Sequence, residues 1–344
     1  MKSVRIALAV LTMAASSTGF AADTAGWSDR APLPTGRAEI GVAEIGGKIY
    51  VIGGTEGDGH NPSSWATTST TVYDPARNEW RQAAPLPHGL SHPGVAVLDG
   101  KLYAIGGFMT PVHLQPQNLG FVYDVQENRW TALPKISSQR GSVAVAAVDG
   151  KLHIFGGRIS NKIVKITTPP GAPPMSAGFG TVGTHQIYDP HTRRWSKGSP
   201  MPGPSRDHLG IAVLDGKIHL FGGRVADVID NLDRHDVYDP ATGKWAIAAP
   251  LPRPRSSGAY TVLDGMILYA GGECKPGGQP FTPNVFEDLA GYDAKTDSWK
   301  TLASLPKPRH AFGAATVGHV AYFVAGAPLC GGGTSTDVQA FMLA

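Results

Sequence analysis

The chain has 344 residues, with 30 Lys and Arg against 27 Asp and Glu, and two Cys. So even a balance gives no electrostatic ground for a nucleic-acid partner. No apolar run is long enough to span a bilayer, and two cysteines allow at most one internal disulfide.

Residues 1–21 read as a secretory signal peptide. Lys2 and Arg5 form a basic start, residues 6–15 are an apolar run too short to cross a membrane, and Gly19-Phe20-Ala21 puts small residues just before a cleavage point after Ala21. Removing residues 1–21 from the 344 leaves 323, with 28 basic groups against 27 acidic ones. The expected location is periplasmic or secreted. No Cys follows the apolar run closely, so no lipid anchor is expected.

Beyond the leader the chain repeats itself. Residues 46–54, GGKIYVIGG, return as 99–107, 149–157, 215–223 and 264–272, and in worn form as 318–326, where Ala325-Gly326 replaces the glycine pair. The Asp-Gly or Gly-Gly start suits a two-residue hairpin turn, since these residues accept positive φ. The apolar stretch after it is expected to be a strand buried on both faces. A Tyr-Asp pair then precedes a Trp by the same step five times: Tyr73 to Trp80, Tyr123 to Trp130, Tyr188 to Trp195, Tyr238 to Trp245 and Tyr292 to Trp299. The Tyr and Trp are expected to pack between units, and the Asp to brace the turn.

These motifs resemble the Kelch repeat, in which each copy is one four-stranded propeller blade. The resemblance spans nearly all of residues 22–344 and implies an all-β, six-bladed β-propeller. Trp27 lies the same 26 residues before a glycine pair as most later tryptophans. It is expected to supply the outer strand of the last blade, whose inner strands come from the C-terminus, and so to close the ring. The first innermost strand is expected over residues 39–45. His153 and His219 occupy the position of Tyr50 and Tyr103 and read as packing residues.

Loop length varies on one face only, after the glycine pairs, and function is expected there. The third such loop, residues 158–186, is the longest, with a proline-rich centre at 169–174 that argues against regular structure and leaves a lid or an insertion open. Trp65, the one tryptophan out of register, lies in the first loop with Glu56, Asp58 and His60. It would stack on a sugar or pack within its loop. Cys274 and Cys330 follow the fifth and sixth pairs, on equivalent loops of neighbouring blades, and are expected to form a disulfide.

Sixteen residues before each pair stand Arg37, Leu90, Arg140, Arg206, Arg255 and Arg309; fourteen before stand Glu39, His92, Ser142, His208, Ser257 and Ala311; twelve before stand only Gly or Ala. Strand alternation would put all three positions on one face, with the small residues where innermost strands crowd the axis. Arg158, Arg224 and Glu273 add charge just past the pairs. The seven arginines, with Glu273 and Trp65, are therefore candidate ligand contacts for an anion at the channel mouth. They equally suit hydrogen bonds to loop carbonyls or pairing with Glu39, Glu273 or Asp207. Glu39, His92 and His208 are the candidate acid–base groups.

No phosphate-cradling loop, serine elbow or metal-ligand spacing is present, and no cofactor or metal is expected. The Cys-Tyr copper chemistry of some exported Kelch oxidases is not carried over, because no Tyr lies in the cysteine loops. The functional expectation is an exported binding propeller for an acidic small molecule, a glycan or sugar acid. Two alternatives stay open. The length and layout resemble exported sialic acid epimerases or mutarotases, and Kelch propellers often serve as protein-interaction scaffolds.

Overall fold

The structure, a computed structural model, describes residues 26–57, 66–110, 112–166, 175–225 and 230–343. The leader at 1–21, Trp65, Asp58, His60 and the segment 169–174 lie outside these residues. Among the described residues no helix is long and apolar enough to cross a membrane, and every regular element is a strand.

Six antiparallel four-stranded sheets form the blades of a propeller. Blade one runs from Gly41–Ile45 at the axis through Lys48–Ile52 and Thr70–Asp74 to Glu79–Gln82 at the rim. Blades two to five repeat this order, beginning at Gly94–Leu98, Ala144–Val148, Gly210–Leu214 and Ala259–Leu263. Blade six is composite: Gly313–Val317, Val320–Val324 and Val338–Met342 are completed by Gly26–Asp29 from the other end of the chain. Trp27 pairs with Phe341 and packs its ring 4.9 Å from it and 5.3 Å from Phe323. Each innermost strand neighbours the next, and the sixth returns to the first, so the six blades form a closed ring about the axis.

The repeat motifs do what their chemistry dictates. Gly46 and Gly47 hold φ of +60° and +73°, as a two-residue hairpin turn requires. Gly53 is needed for a different reason. A Cβ there would stand 2.2 Å from the carbonyl oxygen of Leu90, so the end of the second strand lies directly against the next blade's lead-in loop. Tyr73, Tyr123 and Tyr292 donate their hydroxyls to Asn78, Asn128 and Asp297 in the turn beyond. The indole N–H of Trp80, Trp130 and Trp299 reaches a carbonyl left by the preceding blade, of Ala31, Ala84 and Ala249, at 2.9–3.0 Å. Each tryptophan thereby stitches one blade to its neighbour while burying ring area.

His153 and His219 are buried, hydrogen-bonded to His185 at 3.0 Å and to His235 at 2.9 Å. Burial brings all four imidazoles down to a pKa of about 4, which keeps them uncharged in the blade interior.

Two local expectations change. The first innermost strand begins at Gly41, because Glu39 adopts φ +57° and cannot continue a strand. The third variable loop carries regular structure in its flanks: Arg158–Ile166 and Met175–Thr181 pair as a hairpin, with a register shift between Arg158 and Lys162.

Candidate functional site

The well at the axis is built by one repeated backbone device. Glu39, His92, Ser142, His208, Ser257 and Ala311 all hold φ between +51° and +59°. A left-handed non-glycine residue costs on the order of 1–3 kcal/mol, and an annulus of backbone hydrogen bonds offsets it. Glu39 N–H donates to Ala311, His92 to Glu39, Ser142 to His92, Ser257 to His208 and Ala311 to Ser257, each at 2.7–3.1 Å. The kink turns these six side chains toward the axis, where they line a cavity of about 120 Å³. Below it the channel is apolar, walled by Val95, Val97, Val145, Ile211 and Val262. The small residue two positions on is explained by crowding: a Cβ on Gly41 would meet Val95 at 2.4 Å, and one on Gly94 would meet Val145 at 2.5 Å.

The same kink overturns the expectation that the arginines share a face with these residues. Arg37, Arg140, Arg206, Arg255 and Arg309 are at most 1% exposed and point back into their own blades. Arg37 donates to the carbonyls of Gly53 and Ser69, and Arg140 to those of Gly156 and Thr184. Arg309 donates to those of Ala325, Lys307 and Phe323. Arg206 pairs with buried Asp236 at 2.6 Å, and Arg255 with Asp288 at 3.3 Å. These guanidiniums close the strand ends around each glycine pair. None of the five borders the axial cavity.

Arg158, Arg224 and Glu273 behave differently and gather beside the well. Buried Asp207 lies among them. It accepts from Arg158, stands 3.5 Å from Arg224 Nε, and holds His208 Nδ1 at 2.9 Å. Arg224 also pairs with Glu273 and places Nη2 3.1 Å from His208 Nε2. Ser142 Oγ stands 3.2 Å from the same nitrogen. Since an arginine only donates, His208 carries its proton on Nδ1 and accepts at Nε2. Across the cavity His92 Nε2 meets Glu39 Oε2 at 2.7 Å.

The electrostatics follow from burial. Burial, then Arg224, press the His208 imidazole well below its ordinary value; burial, then Arg158, do the same to His113. For Glu39, burial raises the carboxyl pKa, but the charge and hydrogen bond of His92 outweigh it and bring it to about 2. A carboxylate depressed in the folded state contributes stability above its unfolded pKa and loses it as pH falls toward the folded one. Stability should therefore drop between about pH 4.5 and pH 2 in the native protein. Melting curves across that range should show a shallower acid limb for Glu39→Gln; identical limbs would count against the pairing.

One resident of the site carried no register in the sequence. His113 belongs to the variable loop after the second glycine pair, where spacing predicts nothing. The structure brings it over the well, within 3.3 Å of Arg158 Nη1. Asp207 was visible only as a possible ion partner, and its central position was not. Glu56 pairs in a short ladder with Arg37, away from the cavity lining. Cys274 and Cys330 form the expected disulfide between the loops of blades five and six.

These features define a six-bladed propeller with a polar axial well on its variable-loop face. Three of its blades match the Kelch motif family, over residues 36–87, 89–137 and 205–252, which hold blades one, two and four. Among curated proteins, Kelch-like protein terF of Aspergillus terreus is 29% identical over 83% of this chain and 49% of its own length. Human Kelch-like protein 35 is 40% identical over 58% of this chain and 28% of its own. The chain thus spans about half the length of these relatives, or less. The solved structure of YjhT superposes with a TM-score of 0.68 at 17% identity, covering 89% of this chain and 95% of that one, and shares the fold.

Proposed function

We propose that this propeller is an exported binding module that takes a small, neutral, hydroxylated ligand of the carbohydrate class into its axial well. One observation carries the reading. Glu39, His92, Ser142, His208 and Ser257 converge from five blades on a single cavity. A carboxylate, two imidazoles and two hydroxyls are the donor and acceptor set that suits sugar hydroxyls. The charge balance supports a neutral ligand over the acidic one expected from the arginine register. Beside the well Arg158 and Arg224 face three carboxylates, Asp207, Glu273 and Glu39. Export is supported by the leader pattern at 1–21 and fits a disulfide, which persists in oxidising compartments.

Saturation-transfer proton NMR with neutral and acidic sugars tests the reading. Neutral sugars should give transfer that Glu39→Gln weakens about tenfold or more in affinity, the worth of a charged hydrogen bond. Transfer from acidic sugars alone would return the anion reading. Accelerated anomer exchange in the same spectra would make the Glu39–His92 pair a general base, as in a mutarotase or epimerase. Silence across the panel would sink the proposal. It would favour a protein partner on the loop face, where the 158–181 hairpin exposes Ile163 at 57% and Val164 at 37%.

A further inference from the structure

Three imidazoles meet at the top of the well. His92 and His208 come from the kinked positions of blades two and four, and His113 descends from the loop of blade two. Their ring centroids form a nearly equilateral triangle: 4.8 Å from His92 to His113, 5.1 Å from His92 to His208 and 5.0 Å from His113 to His208. Every pair is edge-on, and one nitrogen from each ring lies within 4.8 Å of the other two. Three imidazoles bound tetrahedrally to one metal, with bonds of about 2.1 Å, set their centroids about 5 Å apart.

We propose that His92, His113 and His208 form a binding site for a first-row divalent cation of the zinc type, with a fourth position open to the well. The site goes beyond the carbohydrate reading and does not depend on it.

Outer contacts support the assignment. Asp207 Oδ1 takes the Nδ1 proton of His208 at 2.9 Å, and Glu39 Oε2 takes the Nε2 proton of His92 at 2.7 Å. In the neutral rings this leaves lone pairs on Nε2 of His208, now 3.1 Å from Arg224 Nη2, and on Nδ1 of His92, now 3.2 Å from Ser91 Oγ. A ligating histidine whose other N–H is held by a carboxylate is the usual second layer of a zinc site, fixing tautomer and ring orientation. Here two of three histidines have it. Charge points the same way: among the described residues the three carboxylates around the cluster, Glu39, Asp207 and Glu273, exceed the two guanidiniums by one.

His113 is held in place at a cost. Val112, His113 and Gln115 all take left-handed φ, of 55°, 61° and 54°, and a β-branched residue such as valine resists that conformation strongly. The loop tip is pinned from above by the 158–181 hairpin. Gly178 N–H donates to Val112 O at 3.1 Å, and Ser160 Oγ donates to His113 O.

Binding requires closure. Tetrahedral nitrogens stand about 3.4 Å apart, against up to 4.8 Å here, so the rings must turn until their lone pairs converge, and His113, on a loop, is best placed to move. Arg224 and Arg158, now 3.1 and 3.3 Å from His208 Nε2 and His113 Nδ1, would give up those acceptors. Arg224 keeps Glu273, and Arg158 keeps Asp207 and the carbonyl of Gly178.

The test uses untagged, chelator-stripped full chain, titrated with Zn²⁺ by calorimetry and with Co²⁺ by visible absorption. One equivalent should bind, the Co²⁺ complex should show the intense visible bands of a four-coordinate site, and zinc at about 100 times its Kd should raise Tm by about 4 °C. His113→Ala, on a loop, should leave the metal-free Tm unchanged and weaken binding at least 100-fold, about the upper limit for losing an outer partner. His92→Gln should weaken binding to a similar degree, with some loss of metal-free Tm because it also removes the partner of Glu39. No saturable uptake, or unchanged affinity in both variants, would overturn the proposal.

Discussion

Asp207→Ala should destabilise the protein by about 3–5 kcal/mol, the loss seen when one partner is removed from a buried ion pair. Asp207 is fully buried and is shared by Arg158, Arg224 and His208. Truncation removes the carboxylate that accepts from Arg158, a side chain only 2% exposed, and frees the imidazole whose tautomer Asp207 sets. Arg224 retains Glu273, so the damage centres on Arg158 and His208. The control is Asp124→Ala, which removes a carboxylate paired at the surface with Lys101 at 3.3 Å. Through that pair it should cost far less than Asp207→Ala, because water screens an exposed ion pair. Urea unfolding of both variants separates the cases. Adding Arg158→Met to Asp207→Ala should recover part of the loss, because replacing both members of a buried ion pair costs less than removing one. A deficit for Asp207→Ala below about 1 kcal/mol would show that the cluster is solvated rather than buried.

The second large effect should come from the disulfide. Cys274 and Cys330 are 56 residues apart and join the loops of blades five and six. Loop-closure entropy for that separation amounts to about 4 kcal/mol of stabilisation. The bridge acts beside the composite blade, where Gly26–Asp29 lies along Val338–Met342 and closes the ring. The loops also exchange backbone hydrogen bonds, Phe281 N–H to Cys330 O and Cys330 N–H to Thr282 O, both at 2.8 Å. These hold the native geometry without the covalent link. The double variant Cys274→Ala/Cys330→Ala should therefore fold, with its denaturant midpoint lowered by that amount and its slope little changed. Native protein treated with reductant should match it. If reduction left the midpoint where it was, the cysteines would not be bridged.

Blade count, ring closure and disulfide were all legible in the residues, because each is written as a repeated local pattern. A Gly pair, a Tyr-Asp step and a Trp at constant spacing need only strand alternation and turn chemistry to become a blade. Trp27 needed only the same count to be placed at the rim of blade six. The arginines were legible as a register but were aimed wrongly. Alternation carried Arg37 and Glu39 onto one face, yet Glu39 turns left-handed, so Arg37 enters the blade while Glu39 enters the well. That kink is not a local preference of Glu, His or Ser. It exists because each of these residues finds its backbone partner in an adjacent blade, and such bonds form only once the ring is assembled. The approach of His113 to His92 and His208 is likewise a tertiary outcome. It depends on two loops docking, and loops that lie outside the repeat have no spacing from which their contacts can be counted. The sequence by itself determined the propeller; the closed ring decided which side chains meet at its axis, since only closure supplies the inter-blade hydrogen bonds that turn them inward.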